Sequence, residues 1–415
     1  MAANQKTTGR KRPIVFFVLI PLLREENRII PTVEYFQGII GESDNIKLVL
    51  ITTEKEFVLI GRDKEIDTIK VVADLKNKYG NILSYHYPQT DGKMSHQLNY
   101  AIKEINKSNP DKQEIIFAVY NADSRPAKET FDWVNDNCQS GQGQIFQQYG
   151  DYLKNFDGLT GPGRNILRAA ALWQNRWSLG FELPHALAQF RYINRRDSYF
   201  YPLNYCIGHG LFFTPDIFVE LGGFNEAMHN EDAIWGLEAS FNRQLIKPIP
   251  FFDEADVPDS LGGLYKQKSS WYFGPAQAFA YYRYIKRHKH LTATDSKLKL
   301  GALSVKLFLH AVYWVVGPTL VFISLLVPLL FMDFKWFLAD YAVALLFLAL
   351  PNYFAYRIIS RQKNIQSKKI IGGLLVGSIP GYLLHGLSAY RAIMLILAAN
   401  FFNLDIKKEK TAMSK

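Results

Sequence analysis

The sequence predicts an α/β domain on a mostly parallel sheet, followed by an α-helical membrane region. Three observations carry this expectation. Strand-like apolar runs alternate with helical stretches through the first third of the chain. The residues with the most chemistry follow those strands, where open α/β sheets bind ligands. Residues 303–402 are strongly apolar, whereas residues 1–300 read as mixed, soluble-type sequence.

Ile14–Ile20 reads as the first strand and Glu25–Ile39 as the helix behind it. Lys11–Arg12 ahead of Ile14–Leu23 mimics a secretory signal. However, Arg24-Glu25-Glu26-Asn27 follows at once, without a small-residue cleavage site. The run is also too short to cross a bilayer, so a buried parallel strand is expected. Ile46–Thr52 is the second strand, Asp63–Tyr79 a helix, Ile82–His86 a short third strand, Met94–Lys107 a helix and Glu114–Tyr120 the fourth strand. Residues 161–192 read as an amphipathic helix with Trp173, Trp177, Phe181 and Leu187 on one side. Core packing is the expected use of those side chains. A second mixed region runs from Tyr205 to Pro275.

Three apolar blocks then follow. Ala311–Met332 lacks charge and is long enough to cross a bilayer; Trp336–Ile359 is a second candidate span. Ile370–Phe402 is long for one span and contains Pro380, His385 and Arg391, so a span plus an interfacial helix, or two half-spans, are both open. Arg391 is expected to face protein, water or headgroups, because a charge at the bilayer centre is costly. Ala276–Leu291, rich in tyrosine and basic residues, reads as an amphipathic helix at the membrane surface. The expected units are residues 1–275, an interfacial segment at 276–302 and a membrane region at 303–415. Basic residues before the first span (Arg283, Lys286, Arg287, Lys289) and between the second and third blocks (Arg357, Arg361, Lys363, Lys368, Lys369) place the N-terminal domain in the cytoplasm by the positive-inside rule. The tail lysines 407, 408, 410 and 415 prefer the same side, in conflict with three full crossings.

The chain has 415 residues and a formal charge of +10. Zinc-ligand spacing, RNP-type runs and a long basic tail are all missing, so nucleic acid is not the expected partner. Membrane lipids and a diphosphate-bearing substrate fit the basic balance better. Two cysteines, Cys138 and Cys206, form no disulfide framework and suit a reducing compartment.

The strongest local signal is Tyr120-Asn121-Ala122-Asp123-Ser124-Arg125-Pro126, at the end of an apolar strand. A carboxylate there can reach a divalent ion that also binds a diphosphate. Turn chemistry before Pro126 explains the same acid equally well. Next comes His229-Asn230-Glu231-Asp232, ahead of the helical pattern Ala233–Arg243. The acids can cap that helix, or one can act as a general base on an acceptor hydroxyl. The third is Gln267-Lys268-Ser269-Ser270-Trp271, downstream of Asp256-Val257-Pro258-Asp259-Ser260. Its Trp can line a sugar channel or anchor at the interface. For His209, between two glycines, a buried and satisfied ring is the stronger reading, and His229 has no better case.

In their order these segments resemble the family 2 glycosyltransferases of GT-A fold, in particular the membrane-integrated branch of cellulose synthase-like, hyaluronan synthase-like and ceramide glucosyltransferase-like enzymes. Pro21 with Glu25-Glu26-Asn27 resembles the family's first-strand opening. Gly92-Lys93 with Leu98-Asn99 resembles its Gly-Lys…Leu-Asn helix start. Asn121-Ala122-Asp123 sits where the family carries Asp-Ala-Asp. Gly208-His209-Gly210-Leu211-Phe212-Phe213, then Leu221-Gly222-Gly223-Phe224, resembles its acceptor segment. Glu231-Asp232 matches its Glu-Asp pair, and Gln267 to Trp271 its Gln-x-x-Arg-Trp motif. The resemblance spans about residues 14–275.

The resemblance implies an inverting enzyme that moves a sugar from a nucleotide-sugar, a UDP-sugar in the first instance, to a lipid, lipid-linked or polysaccharide acceptor. Asp232 would be the base, and Asp123 would hold Mg²⁺ or Mn²⁺. Pro21, Glu25, Lys93, Asn121 and Asp123 would contact the donor. Gly208, His209, Gly210, Glu231, Gln267 and Trp271 would contact the acceptor. Three departures stand out: Asn121 replaces an acid, Ser270 replaces an arginine, and Thr52-Thr53-Glu54-Lys55-Glu56 replaces the usual base-reading run. They leave two alternatives, a catalytically impaired nucleotide-sugar-binding membrane module and a processive synthase that needs a membrane partner. Three apolar blocks are few for a transporter.

Overall fold

The computed structural model describes residues 14–41, 45–60, 67–108, 114–192, 199–204, 206–363 and 367–402. Lys11–Arg12, the start of the helix expected at Asp63, Tyr205 and the tail lysines lie outside the described residues.

Eight strands form one sheet: β1 (Val15–Pro21), β2 (Ile46–Thr53), β3 (Ile82–Tyr87), β4 (Ile115–Val119), β5 (Arg125–Pro126), β6 (Ile145–Asp151), β7 (Leu211–Phe213) and β8 (Ile246–Glu254). Their order is β3-β2-β1-β4-β7-β6-β8-β5. The first four are parallel, the Rossmann-like arrangement that alternating strands and helices predict. β7 then runs antiparallel between β4 and β6. The chain leaves β1 toward β2 on one side and comes back to β4 on the other. The β1/β4 boundary is therefore a topological switch point, and a crevice opens beyond its carboxyl ends.

Successive residues of a strand point to opposite faces, and here both faces are buried. Val18 and Ile20 pack with α1 (Ile29–Ile40), α3 (Thr68–Lys78) and α5 (Glu129–Gln139). Leu19, Val49 and Ile51 pack on the other side with α4 (Met94–Ser108), α8 (Pro215–Glu220) and α9 (Glu231–Phe241). That double burial is why β1 reads as a near-continuous apolar run.

The first helix starts four residues later than expected, at Ile29. Residues 22–28 form a loop instead, with Arg24 in the left-handed region at φ 56°. The Glu56 side chain, at the start of the short helix α2 (Lys55–Ile60), fixes that loop: it accepts from the Arg24 N–H at 2.9 Å and from the Thr68 N–H at 2.8 Å. A fully buried carboxylate holding two backbone donors has no hydropathy signature.

The chain from 164 to 191 bends in the middle. α6 (Arg164–Trp177) and α7 (Leu183–Arg191) are joined by a π-helical turn, Ser178–Glu182. α6 buries Leu167, Ala170, Ala171 and Leu172. Trp173 lies off that face and packs instead against the cluster of Ala344, Leu348 and Ile379, Trp177 stacks on Phe181, and Leu187 is exposed.

α10 (Leu261–Ala276) and α11 (Ala278–His288) lead to the apolar region. The apolar stripe of α11 faces protein: Ala278, Tyr281 and Ile285 are buried against α9 and α12 (Thr294–Leu330). α12, α13 (Phe334–Lys363) and the run Gly372–Ala399 are each long and apolar enough to cross a membrane. The third block is one continuous helical run, with a π-helical opening at Gly372–Gly377 that leads into α14 (Ser378–Phe402). Arg391 faces protein: it donates to Ser269 Oγ at 3.1 Å and lies over the Tyr265 ring.

Glycines let the π-helical opening close against α6. A Cβ on Gly377 would collide with the Asn165 carbonyl, and one on Gly373 would sit 3.1 Å from Arg168 Cβ. Small residues at such contacts let helix backbones approach. We expect Gly377→Val to lower stability by about 1–3 kcal/mol or more through overpacking, read as a lower melting temperature in lipid nanodiscs.

Candidate active site

Beyond β1 and β4 lies one cavity of about 450 Å³. Pro21, Leu22 and Glu25 enter it from the loop after β1, Lys55 from the start of α2, and Gly92 and Lys93 from the loop before α4. Asn121 and Asp123 enter after β4, Gly208 and His209 before β7, and Glu231 and Asp232 from the first turn of α9. Gln267, Ser270 and Trp271 line it from α10, Leu307, His310 and Trp314 from α12, and His385 from α14. One cavity thus touches both the carboxyl ends of the sheet strands and two candidate membrane helices.

Of the residues expected to contact donor, acceptor or metal, all but Gly210 line this cavity. Gly210 has a backbone role. At φ 63° its N–H bonds the Val119 carbonyl and its carbonyl accepts from the Gln148 N–H, bridging β4 and β6. A Cβ there would lie 2.8 Å from the Gln148 carbonyl oxygen. Gly208 has a different reason to be glycine. A Cβ on it would lie 3.1 Å from Asp232 Oδ2, so the missing side chain makes room for that carboxylate. Asp232 Oδ1 accepts from the Ala233 N–H at 2.8 Å, the cap-like role open to it, while the side chain still faces the cavity.

The Asp123 loop is held from four directions. Thr32 Oγ1 donates to the Ala122 carbonyl. Ser124 Oγ and the Arg125 N–H donate to the two oxygens of Asp253, at 2.7 and 2.8 Å. Lys154 Nζ donates to the Asp123 carbonyl at 2.8 Å. The Asp256 N–H points at Asp123 Oδ2 at 3.3 Å. Asp253 also pairs with His209 Nδ1 at 3.0 Å. His209 is therefore the buried, satisfied histidine expected, although one edge meets the cavity. Burial opposes its charge, but the Asp253 hydrogen bond and charge prevail and raise its pKa above the ordinary value. His229 is buried against the Phe273 ring.

Asp253, Asp256 and Lys154 were invisible as a group in the sequence. The first lies inside a strand, and only the fold brings the other two beside Asp123. Burial, then the charge of Asp123, pushes the Asp256 carboxyl up, with Lys154 opposing at 3.3 Å. Among the described residues no group of three or more His, Cys, Asp or Glu side chains is placed to hold a metal alone. Two close carboxylates at the cavity do fit a divalent ion whose other ligands are substrate phosphates and water, the common Mg²⁺ pattern.

Near the membrane helices, Lys268 is buried and donates to Gln174 Oε1 at 2.6 Å, with Nζ 4.3 Å from the centre of the Trp271 ring. Burial lowers its pKa to about 7, with Glu182 opposing. Lys268 is thus committed to α6 and Trp271 and does not stand in for the arginine that Ser270 replaces. Lys93 Nζ bonds the carbonyls of Glu226, Ala227 and Met228, tying α4 to the loop before α9. Asn99 bonds the Phe224 backbone in both directions and does not line the cavity.

No protein-family profile and no curated protein matches this chain. Among solved structures, it is similar to the mannosyltransferase PcManGT from Pyrobaculum calidifontis in complex with GDP-Man and Mn²⁺. The identity is 13%, over 92% of this chain and 87% of that one, with a TM-score of 0.45. It is also similar to S. aureus TarS 1-349, at 12% identity over 91% of each chain with a TM-score of 0.42. The TarS complex with UDP-GlcNAc gives 11% identity and a TM-score of 0.37, over 91% of each chain. At such distance a likeness says nothing of what this chain acts on.

Two outcomes follow from this geometry. Gly210→Ala is expected to cost about 1–3 kcal/mol of stability through its forced positive φ, seen as a lower melting temperature with ligand affinity in the folded fraction unchanged. His209 has a raised native pKa, so its pairing with Asp253 contributes stability that is complete below about pH 6.5 and fades as pH rises through the native value. Melting temperature should fall over that window in the parent chain, and His209→Gln should flatten the profile.

Proposed function

We propose that the chain is an inverting glycosyltransferase that moves a sugar from a nucleotide-sugar to a lipid or lipid-linked acceptor at the membrane, with its catalytic domain on the cytoplasmic side. The observation that carries this reading is the single cavity that joins Asp123 and Asp232 to residues of α12 and α14. A purely soluble reaction has no need of membrane helices in its wall. The ordered motif resemblance supplies the reaction class, and the basic segments around the apolar helices supply the orientation.

In this reading the nucleotide lies beyond the carboxyl ends of β1 and β4, beside Pro21, Glu25, Lys93 and Asn121. Asp123 and Asp256 would hold Mg²⁺ or Mn²⁺, which when bound neutralises charge on the diphosphate leaving group. Asp232 takes the proton of the acceptor hydroxyl as it attacks the anomeric carbon from the face opposite the diphosphate. One displacement then inverts the anomeric configuration. Gly208 leaves the space in which the Asp232 carboxylate sits. Glu231, His209, Gln267 and Trp271 border the acceptor. The clamp on the 121–125 loop keeps Asp123 in place before substrate arrives, so little reorganisation is needed.

Asp232→Asn is expected to keep donor binding and to cut transfer by about 10²–10⁴-fold, the usual worth of a general base. Near-parental turnover in that variant overturns the assignment. Asp123→Ala is expected to abolish metal-dependent nucleotide-sugar binding in calorimetry; unchanged binding counts against its role. The class itself is tested by nucleotide release from a nucleotide-sugar panel, using the full chain in nanodiscs with and without Mg²⁺. A chain that binds donors yet releases nucleotide from none of them is a binding module.

A further inference from the structure

The part of the cavity wall built by α6 and its π-helical turn belongs to no motif discussed above. Trp173 and Trp177 line the cavity from α6, and Glu182 lines it from the last position of the π-helical turn. A π turn inserts an extra residue into a helix and often marks a functional site. Here it joins α6 to α7 and ends on a buried acid, with Ser178 Oγ donating to Glu182 Oε2 at 3.0 Å. Gln267 and Trp271 come to the same space from α10, and His310 from α12.

The chemistry of this wall discriminates among acceptors. A lipid phosphate would bring negative charge to Glu182. Lys268, a buried cation near this wall, is already held by Gln174 and the Trp271 ring. A bare alkyl chain would leave a buried carboxylate and an amide facing hydrocarbon, which is costly. A pyranose satisfies both kinds of surface. Its C–H face lies on indole, and its hydroxyls donate to a carboxylate and pair with an amide.

We propose that Trp173, Trp177, Glu182 and Gln267 form a second sugar subsite, so that the accepting hydroxyl belongs to a sugar already carried on a lipid. This rests on the transferase reading and narrows its acceptor to a glycolipid. Glu182 is then a binding group for the acceptor sugar, distinct from the base Asp232.

The test uses the full chain in nanodiscs of sugar-free phospholipid, with dodecyl β-maltoside, dodecyl phosphate and dodecanol as alternative acceptors below their micellar concentrations. Nucleotide release with a mixed membrane-lipid extract added as acceptor, measured in parallel, reports on the transferase reading alone. The expected result is transfer to the maltoside over the other two. Glu182→Gln should raise the KM for the maltoside by about ten- to a hundredfold, the worth of a hydrogen bond to a charged group, with the nucleotide dissociation constant unmoved. Trp177→Phe should keep much of the maltoside affinity and Trp177→Ala should lose it, which separates stacking from folding. Equal or better use of dodecyl phosphate or dodecanol overturns the subsite. So does an unchanged KM in both Glu182→Gln and Trp177→Ala. Failure of nucleotide release in the parent chain, by contrast, removes the transferase reading itself.

Discussion

The site depends on one buried carboxylate. Asp253, wholly inaccessible, accepts from Ser124 Oγ, from the Arg125 N–H and from His209 Nδ1. A buried charge survives only if such partners surround it. Those same partners fix three pieces of chain relative to one another: the loop that presents Asp123, the Gly208–Gly210 segment beside Asp232, and the end of β8. The loop carrying the acid and the segment facing the base are therefore set by a single group. Removing it would leave the Asp123 loop to Thr32, Lys154 and Asp256 and would cut its link to the Gly208–Gly210 segment.

The same strand end reaches the membrane helices. Glu254 follows Asp253 and accepts from Lys363 Nζ at 2.7 Å, and Lys363 also pairs with buried Asp151 at the end of β6. Lys363 closes α13. Farther on, Lys369 Nζ bonds the Asp157 carbonyl at 2.5 Å and Ser367 bonds the Asp157 side chain. The basic residues between the second and third apolar blocks thus have contacts within the protein. Lys363 bonds the ends of two sheet strands and Lys369 the loop after β6, which joins the N-terminal and apolar parts by specific contacts as well as by chain continuity.

The parallel half of the fold was legible because burial on both faces leaves unmistakable apolar runs, as in Val15–Pro21 and Ile46–Thr53. Asp123 and Asp232 stand out in the sequence because the first follows an apolar strand and the second opens a helix. What hydropathy and spacing could not show were acids satisfied by distant partners. Glu56 reads as an ordinary polar residue until Arg24 and Thr68 are folded onto it, and Asp253 lies inside an otherwise mixed strand. Gly210 was misplaced for the same reason. Next to Gly208 and His209 it looked like a substrate contact, but its positive φ serves the β4–β6 join. Trp173 packs against the apolar helices and Trp177 stacks on Phe181, a split that one amphipathic helix does not predict. The π turn and the small residues of α6 put the core on a different face.

α10 shows how the apolar region bears on the chemistry. Gln267, Ser270 and Trp271 face the cavity, while Tyr272 and Phe273 pack with Ala311 of α12 and with Ala389 and Ala392 of α14. Ser269, between them, receives Arg391. A shift of α14 along its axis would therefore move α10 through that hydrogen bond and that packing, and with it the residues bordering the acceptor. The Asp123 loop is held by β8, by α1 through Thr32 and by Lys154 rather than by α10. The Asp123 loop and the α10 wall of the cavity are therefore supported by different elements.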